Sequence, residues 1–187
     1  PSREKDILRV MTYNIHSCKG LDGKISPQRI AHVIATYQPD IVAMQEVDVG
    51  RSRTNHEDQA KLIAQLLQMK HHFHPAIQIE EECYGDAILS RFPMRLIKAG
   101  ALPRLDKITP LEPRGVLWVE IQANGIPFQI FNTHFGLRKK EKMAQADTIL
   151  SSEWVNHPQC QSPIILCGDF NSPPKSTVYH RLHSTLH

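Results

Sequence analysis

The sequence predicts a mixed α/β fold on three observations. A strand, a helix and a second strand follow one another between Ile7 and Glu46. Short runs of β-formers dominate the centre, with Asn124-Gly125 marking a hairpin. A helix, a strand and a short helix then return after Lys139. Helices early and late around a hairpin-rich middle form the pattern of sheets covered by helical layers. With 187 residues the chain is long enough for one substantial core, and residues 1–187 read as a single domain.

Each element has its own signal. Ile7–Met11 is an apolar run that leads into Thr12-Tyr13-Asn14-Ile15-His16. Ser26 is a good N-cap and Pro27 suits the first helical position. Ile30, Val33, Ile34 and Tyr37 then recur at helical spacing until Pro39 stops the helix. Ile41–Met44 reads as a buried strand running into Gln45-Glu46. A second helix spans about Glu57 to Met69, with Leu62, Ile63, Leu66 and Leu67 as its stripe. Ala87–Leu89, Leu96–Ile97, Val116–Ile121 and Ile126–Phe131 read as strands, the last two joined at Asn124-Gly125. A third helix, about Lys139 to Trp154, turns Met143, Ala146, Ile149 and Leu150 inward. Strand Ile164–Cys167 follows, then Pro173-Pro174 and a short helix near Thr177–Leu182.

Composition narrows the function classes. At 41% apolar and 22% charged, the chain is an ordinary globular protein, which excludes disorder. A net charge of +3 is too small to imply nucleic-acid binding, though it does not oppose an anionic substrate. The 11 His include the tract His71-His72-Phe73-His74 and the late His180, His183 and His187, which read as scattered surface imidazoles. Cys18, Cys83, Cys160 and Cys167 form no CxxC pair, so a structural zinc site is not expected and a reducing, cytoplasmic compartment is. No apolar run reaches membrane-spanning length. The polar start Pro1–Asp6 does not read as a signal peptide.

Chemistry gathers where strands end. Phe128–Phe131 runs into Asn132-Thr133-His134, and Ile164–Cys167 into Gly168-Asp169-Phe170-Asn171. The glycine allows a sharp turn that leaves Asp169 and Asn171 able to address one site. An Asp there can orient or deprotonate a water, and an Asn can donate to a phosphoryl oxygen; an ordinary Asx turn is the alternative. Glu46, after buried-looking residues, is either a metal ligand or a buried ion-pair partner. Asn14 adds a neutral amide oxygen, and such oxygen ligands suit Mg²⁺ better than zinc. His134 can donate to a phosphate oxygen or a leaving group, or be a satisfied structural residue.

Six motifs stand in the order seen in the endonuclease/exonuclease/phosphatase superfamily, which this chain resembles from about Leu8 to Asn171. They are Tyr13-Asn14-Ile15-His16, Gln45-Glu46, Tyr84–Arg91, Pro113-Arg114-Gly115, Asn132-Thr133-His134 and Gly168–Asn171. The superfamily includes deoxyribonuclease-like nucleases, abasic-site endonucleases, neutral sphingomyelinases and inositol-polyphosphate phosphatases. The resemblance implies a four-layered α/β sandwich, two packed mixed sheets flanked by helices, with the site at one rim. It also implies Mg²⁺- or Mn²⁺-dependent hydrolysis of a phosphoester in nucleic acid, phospholipid or a small phosphodiester. Asn14 and Glu46 then look like metal-side ligands, Asp169 like the water-positioning carboxylate, and Asn171 like its phosphate-orienting neighbour. His134 takes the phosphate-contacting or proton-donating position. Arg114 is a phosphate clamp or a surface arginine. Arg51 and Arg53 either contact substrate or form a solvated basic turn.

Three departures follow from the same resemblance. His16 stands where some nuclease members have Asp. Asp86 stands where many relatives have Asn; it either orients His134 as a carboxylate–imidazole pair or simply follows a substitution that the motif tolerates. The family's closing strands, with their Asp-His dipeptide, are absent, and His180, His183 and His187 follow no apolar strand or Asp. A C-terminally truncated domain is therefore expected, with sheet edges and apolar faces left uncovered. Such a chain is a fragment of a longer hydrolase, or a non-catalytic phosphate-binding or scaffold relative.

Overall fold

The computed structural model describes residues 7–105, 111–161 and 163–186. The polar start at Pro1–Asp6 and His187 lie outside the described residues. Two four-stranded mixed sheets face each other. The first has the order β1-β2-β4-β3, built from β1 (Val10–Asn14), β2 (Ile41–Val49), β3 (Lys70–Ile79) and β4 (Glu82–Ser90). The second runs β5-β6-β7-β8, from β5 (Met94–Ala101), β6 (Gly115–Ala123), β7 (Ile126–His134) and β8 (Ile164–Asp169). β1–β2 and β7–β8 are parallel, and every other pair is antiparallel.

Helices cover the outer faces. α1 (Pro27–Tyr37) and α2 (Gln59–Leu67) bury Ile30, Ile34, Ile63 and Leu67 against Val42, Met44 and Leu89 of the first sheet. α3 (Lys139–Ile149) and α4 (Thr177–His183) bury Ala146, Ile149, Val178 and Leu182 against Val116, Trp118 and Phe131. Ile41, Ile88, Leu117, Val119, Ile121 and Ile130 fill the space between the sheets. β6 shows why both faces of a strand are apolar here: Val116 and Trp118 meet the helices, while Leu117, Val119 and Ile121 meet the other sheet. These are the expected four layers.

Local chemistry sets the boundaries. Ser26 Oγ accepts from Arg29 N at 3.1 Å, Asp58 Oδ1 from Lys61 N at 2.9 Å, and Ser176 Oγ from Tyr179 N at 3.1 Å, each capping a helix start. Asn124 and Gly125 both take positive φ (52° and 80°), the pairing a two-residue hairpin needs. Other expectations shift. β1 starts at Val10, since Ile7 is solvent-exposed, and α3 ends at Ile149 rather than Trp154. The tract His71–His74 lies within β3, on the edge of the first sheet, with half-buried imidazoles rather than loose surface ones. Histidine on both faces of that strand hides its alternation from the sequence. An apolar groove of about 560 Å³, lined by Leu166, Phe170, Leu182 and Leu186 among others, runs along β8 and α4.

One buried amide ties the sheets together. Asn132 on β7 donates through Nδ2 to Met44 O at 2.8 Å and Ala87 O at 2.9 Å, both in the first sheet. Its Oδ1 accepts from Gln45 Nε2 at 2.7 Å. Asn132→Leu keeps the branching but takes a donor from two buried carbonyls and an acceptor from Gln45, whose amide keeps Thr12 Oγ1 and Ala43 O. Urea unfolding should show a loss of at least about 2 kcal/mol, against a few tenths for a solvent-face change such as Gln122→Thr.

Candidate active site

Five polar side chains from four strands and the turn after β8 meet at one rim. Asn14 is the last residue of β1, Asp169 the last of β8 and His134 the last of β7. Glu46 is placed differently from expectation. β2 does not end there; it continues to Val49 through a bulge, where Gln45 and Glu46 together oppose Asp86. Glu46 takes φ +57° in that bulge, a conformation costly for a non-glycine residue. The bulge turns its carboxylate out of the ladder toward Asn14.

Asn14 Nδ2 sits between two carboxylates, 2.7 Å from Glu46 Oε1 and 3.1 Å from Asp169 Oδ2. Its Oδ1 accepts from His16 N at 3.0 Å. Residues His16, Ser17 and Cys18 form a tight turn, all three with positive φ. That turn brings exposed His16 Nδ1 to 3.3 Å from Glu46 Oε2. Asn171 turns the chain after β8 (φ +46°), and its N–H donates to Asp169 Oδ1 at 2.9 Å. The expected role of Gly168 changes accordingly. The strand runs on through Asp169, and Gly168 is required because a Cβ there would collide with Thr133 O on β7.

His134 is buried. Its Nε2 lies 3.1 Å from Asn171 Nδ2 and 3.8 Å from Asp169 Oδ2, while its Nδ1 lies 2.9 Å from Arg114 Nη1. Asn171 Nδ2 also donates to Phe135 O at 2.8 Å. Arg114 is a buried residue rather than a surface one, and its Nη2 pairs with Glu112 Oε2 at 3.1 Å. The group facing His134 Nδ1 is thus an arginine, not the Asp86 carboxylate that one of the two readings placed there. Asp86 lies buried opposite the bulge, and burial pushes its pKa up to about 8 against the opposing pull of Arg114. It is a protonated acid at neutral pH, poorly suited to act as an anionic partner.

The other charges of the rim are ordered by similar balances. Burial raises the Asp169 pKa, but hydrogen bonds from Asn171 N and Asn14, with His134 and Arg114 nearby, bring it below the ordinary carboxylate value. Burial and then the Arg114 charge hold His134 below the ordinary imidazole value. Beside Glu46 opens a cleft of about 550 Å³, walled by Lys19, Arg51, Arg53, Tyr84 and Glu112. Arg53 forks onto buried Asp48 with two 2.7 Å bonds and lies over the Tyr84 ring. It is therefore a fixed wall, not a free basic turn.

Sequence reasoning missed several supports. Gln45 Nε2 reaches Thr12 Oγ1, Ala43 O and Asn132 Oδ1, and Lys142 Nζ at the start of α3 donates to Asn171 O. Gln45 and Asn132 lay inside quoted motifs and were the available signal; Lys142 carried none. No group of three or more His, Cys, Asp or Glu with metal-holding geometry occurs among the described residues. The four cysteines are free, and burial pushes the Cys18 thiol up to about 12. No helix among the described residues is long and apolar enough to cross a membrane.

The model of the "Endonuclease/Exonuclease/phosphatase family" matches residues 11–187. "Uncharacterized protein YbhP" of Escherichia coli K12 is 26% identical over 174 residues, covering 87% of this chain. The chain spans 66% of that relative's length, and the same figures hold for the Shigella flexneri protein of that name. The mannosyl-6-phosphatase Bt3783 of Bacteroides thetaiotaomicron superposes with a TM-score of 0.73 at 22% identity, covering 95% of this chain and 70% of that one. The human Nocturnin catalytic domain with bound sulfate gives 0.66 at 25% identity, over 95% and 70%. An endonuclease/exonuclease/phosphatase from Beutenbergia cavernae gives 0.70 at 24%, over 94% of this chain and 52% of that one.

The raised pKa of Asp86 makes a testable demand. The native state binds a proton that the unfolded chain releases near pH 4, so stability should fall as pH rises from about 4 to about 8 and flatten above. Asp86→Asn should remove that slope and raise stability at pH 8, by about 1.4 kcal/mol per unit of pKa shift removed. Urea midpoints at pH 5 and pH 8 measure both.

Proposed function

Because this chain belongs to the endonuclease/exonuclease/phosphatase family, we propose that its rim hydrolyses a phosphoester with the help of Mg²⁺ or Mn²⁺. The observation that carries this reading is the convergence of Glu46 and Asp169 on the single amide of Asn14, with Asn171 and His134 beside them. Two carboxylates drawn to one N–H group mark the point where a cation is best received. The donors there are carboxylate oxygens, which fit a hard divalent ion. Glu46 would hold it directly; Asn14, with Nδ2 on both carboxylates and Oδ1 on His16 N, orients them in place of the ligand role the resemblance implied. When bound, such an ion supplies Lewis-acid stabilisation of phosphoryl charge.

The chain's own groups have separable tasks. Asp169, below the ordinary carboxylate pKa, is an acceptor that orients the attacking water; it is poorly matched to keep that water's proton at neutral pH. Asn171 and His134 are donors toward phosphoryl oxygens. Lys19 and Arg51 on the cleft wall support an anionic substrate, and the cleft's size supports a compact leaving group. The Nocturnin catalytic domain, 25% identical to this chain, carries a bound sulfate anion, which supports an oxyanion ligand. The free cysteines support a reducing compartment.

Two measurements test this. Calorimetry should find Mn²⁺ binding to the wild type and none to Glu46→Ala; unchanged binding in the variant removes Glu46 as a ligand. With Mg²⁺ or Mn²⁺ present, hydrolysis of a bis-aryl phosphate should fall by about 100-fold or more in Asp169→Asn. Binding of Mn²⁺ and phosphate with no turnover in the wild type would favour the non-catalytic reading.

A further inference from the structure

Arg114, just before β6, and His134, at the end of β7, make the shortest bond that either ring nitrogen of His134 has: Nη1 to Nδ1 at 2.9 Å. Both side chains are 6% exposed. A guanidinium only donates, so Nδ1 must be the nitrogen carrying the lone pair. The other ring nitrogen also faces a donor, Asn171 Nδ2 at 3.1 Å, and that amide is held this way round by its bond to Phe135 O. A neutral imidazole has one lone pair and can answer one of the two. The arginine bond is shorter, charge-assisted and buried, so it is the one made.

We propose that Arg114 is a positioning residue that locks His134 as the neutral tautomer protonated on Nε2, which presents a fixed N–H to a substrate oxyanion. The proposal rests on the phosphoester-hydrolase reading above. In this tautomer Nε2–H meets no acceptor at hydrogen-bond distance among the described residues, since Asn171 offers a donor and Asp169 Oδ2 is 3.8 Å away. A phosphoryl or leaving-group oxygen beside Asp169 supplies the missing acceptor, and the donor needs no reorganisation to receive it. Arg114 is not available as a phosphate clamp. Nη1 is committed to His134, Nη2 to Glu112, and Nε is buried without a partner. Glu112 in turn hydrogen-bonds Tyr84, so a polar chain runs from the cleft wall through Glu112 and Arg114 to His134.

The test reads the His134 ring by ¹⁵N NMR of the full chain without substrate. The expected wild-type spectrum at pH 7 has a protonated Nε2 and an unprotonated Nδ1. In Arg114→Met the proton should move to Nδ1, leaving Nε2 to accept from Asn171, and Arg114→Lys should restore the wild-type state. Bis-aryl phosphate kinetics should show Arg114→Met lowering kcat at least tenfold with KM changed less than twofold. A wild-type His134 protonated on Nδ1 or on both nitrogens overturns the proposal. So does an unchanged tautomer in folded Arg114→Met, or a raised KM at constant kcat. If Arg114→Met does not fold, the wild-type spectrum alone decides. The spectra need no turnover, so an inactive chain would defeat the hydrolase reading and leave the tautomer result standing.

Discussion

The Asn132 amide couples the two sheets at the point where the site is built, because it spends its hydrogen bonds on the backbone of β2 and β4 and on the side chain of Gln45. Met44 and Ala87, whose carbonyls it caps, flank the bulge that carries Glu46. The buried bonds therefore hold the bulge of one sheet at a set height against the strand end of the other. Asn14, Glu46, Asp169 and His134 come from four strands in two sheets, and the contacts of Asp169 with Asn14 at 3.1 Å and His134 at 3.8 Å, and of Asn14 with Glu46 at 2.7 Å, survive only if the sheets cannot slide. Apolar packing between the sheets is non-directional and would tolerate such sliding; a fully satisfied polar contact would not.

The rim also concentrates features that folding alone would disfavour. Glu46, the turn His16–Cys18 and Asn171 all hold positive φ without being glycine. Two carboxylates share one amide, and the imidazole of His134 is pressed between two donors. Each costs stability. Asp86 shows the opposite solution: buried beneath the bulge, it escapes the crowd of negative charge by holding its proton.

Much of the fold was legible because it rests on local chemistry. The capped start at Ser26, the stop at Pro39 and the Asn124-Gly125 hairpin all follow from residues that set their own backbone. Strand β3 was not legible, because Lys70–Ile79 mixes imidazoles with apolar residues and owes its conformation to pairing with β4. The site residues were legible by type and by family resemblance. Their arrangement was less so. Glu46 looked like a strand exit and is a bulge; Gly168 looked like a turn and is a close approach; Arg114 looked like a phosphate clamp or a surface arginine and is buried against His134.

By itself, the sequence determined the alternation of strands and helices, the capped start at Ser26 and the Asn124-Gly125 hairpin, since periodicity, caps and turn residues act over a few neighbours; the layer order came from the family resemblance. Only the tertiary structure decided which way each group points and which protonation state it holds. Asn14 presents its N–H to two carboxylates, Asp86 stays protonated and Arg114 meets His134 Nδ1 because elements distant in sequence close over them. Charge, burial and hydrogen-bond direction are properties of that closure, and no local pattern in the chain encodes them.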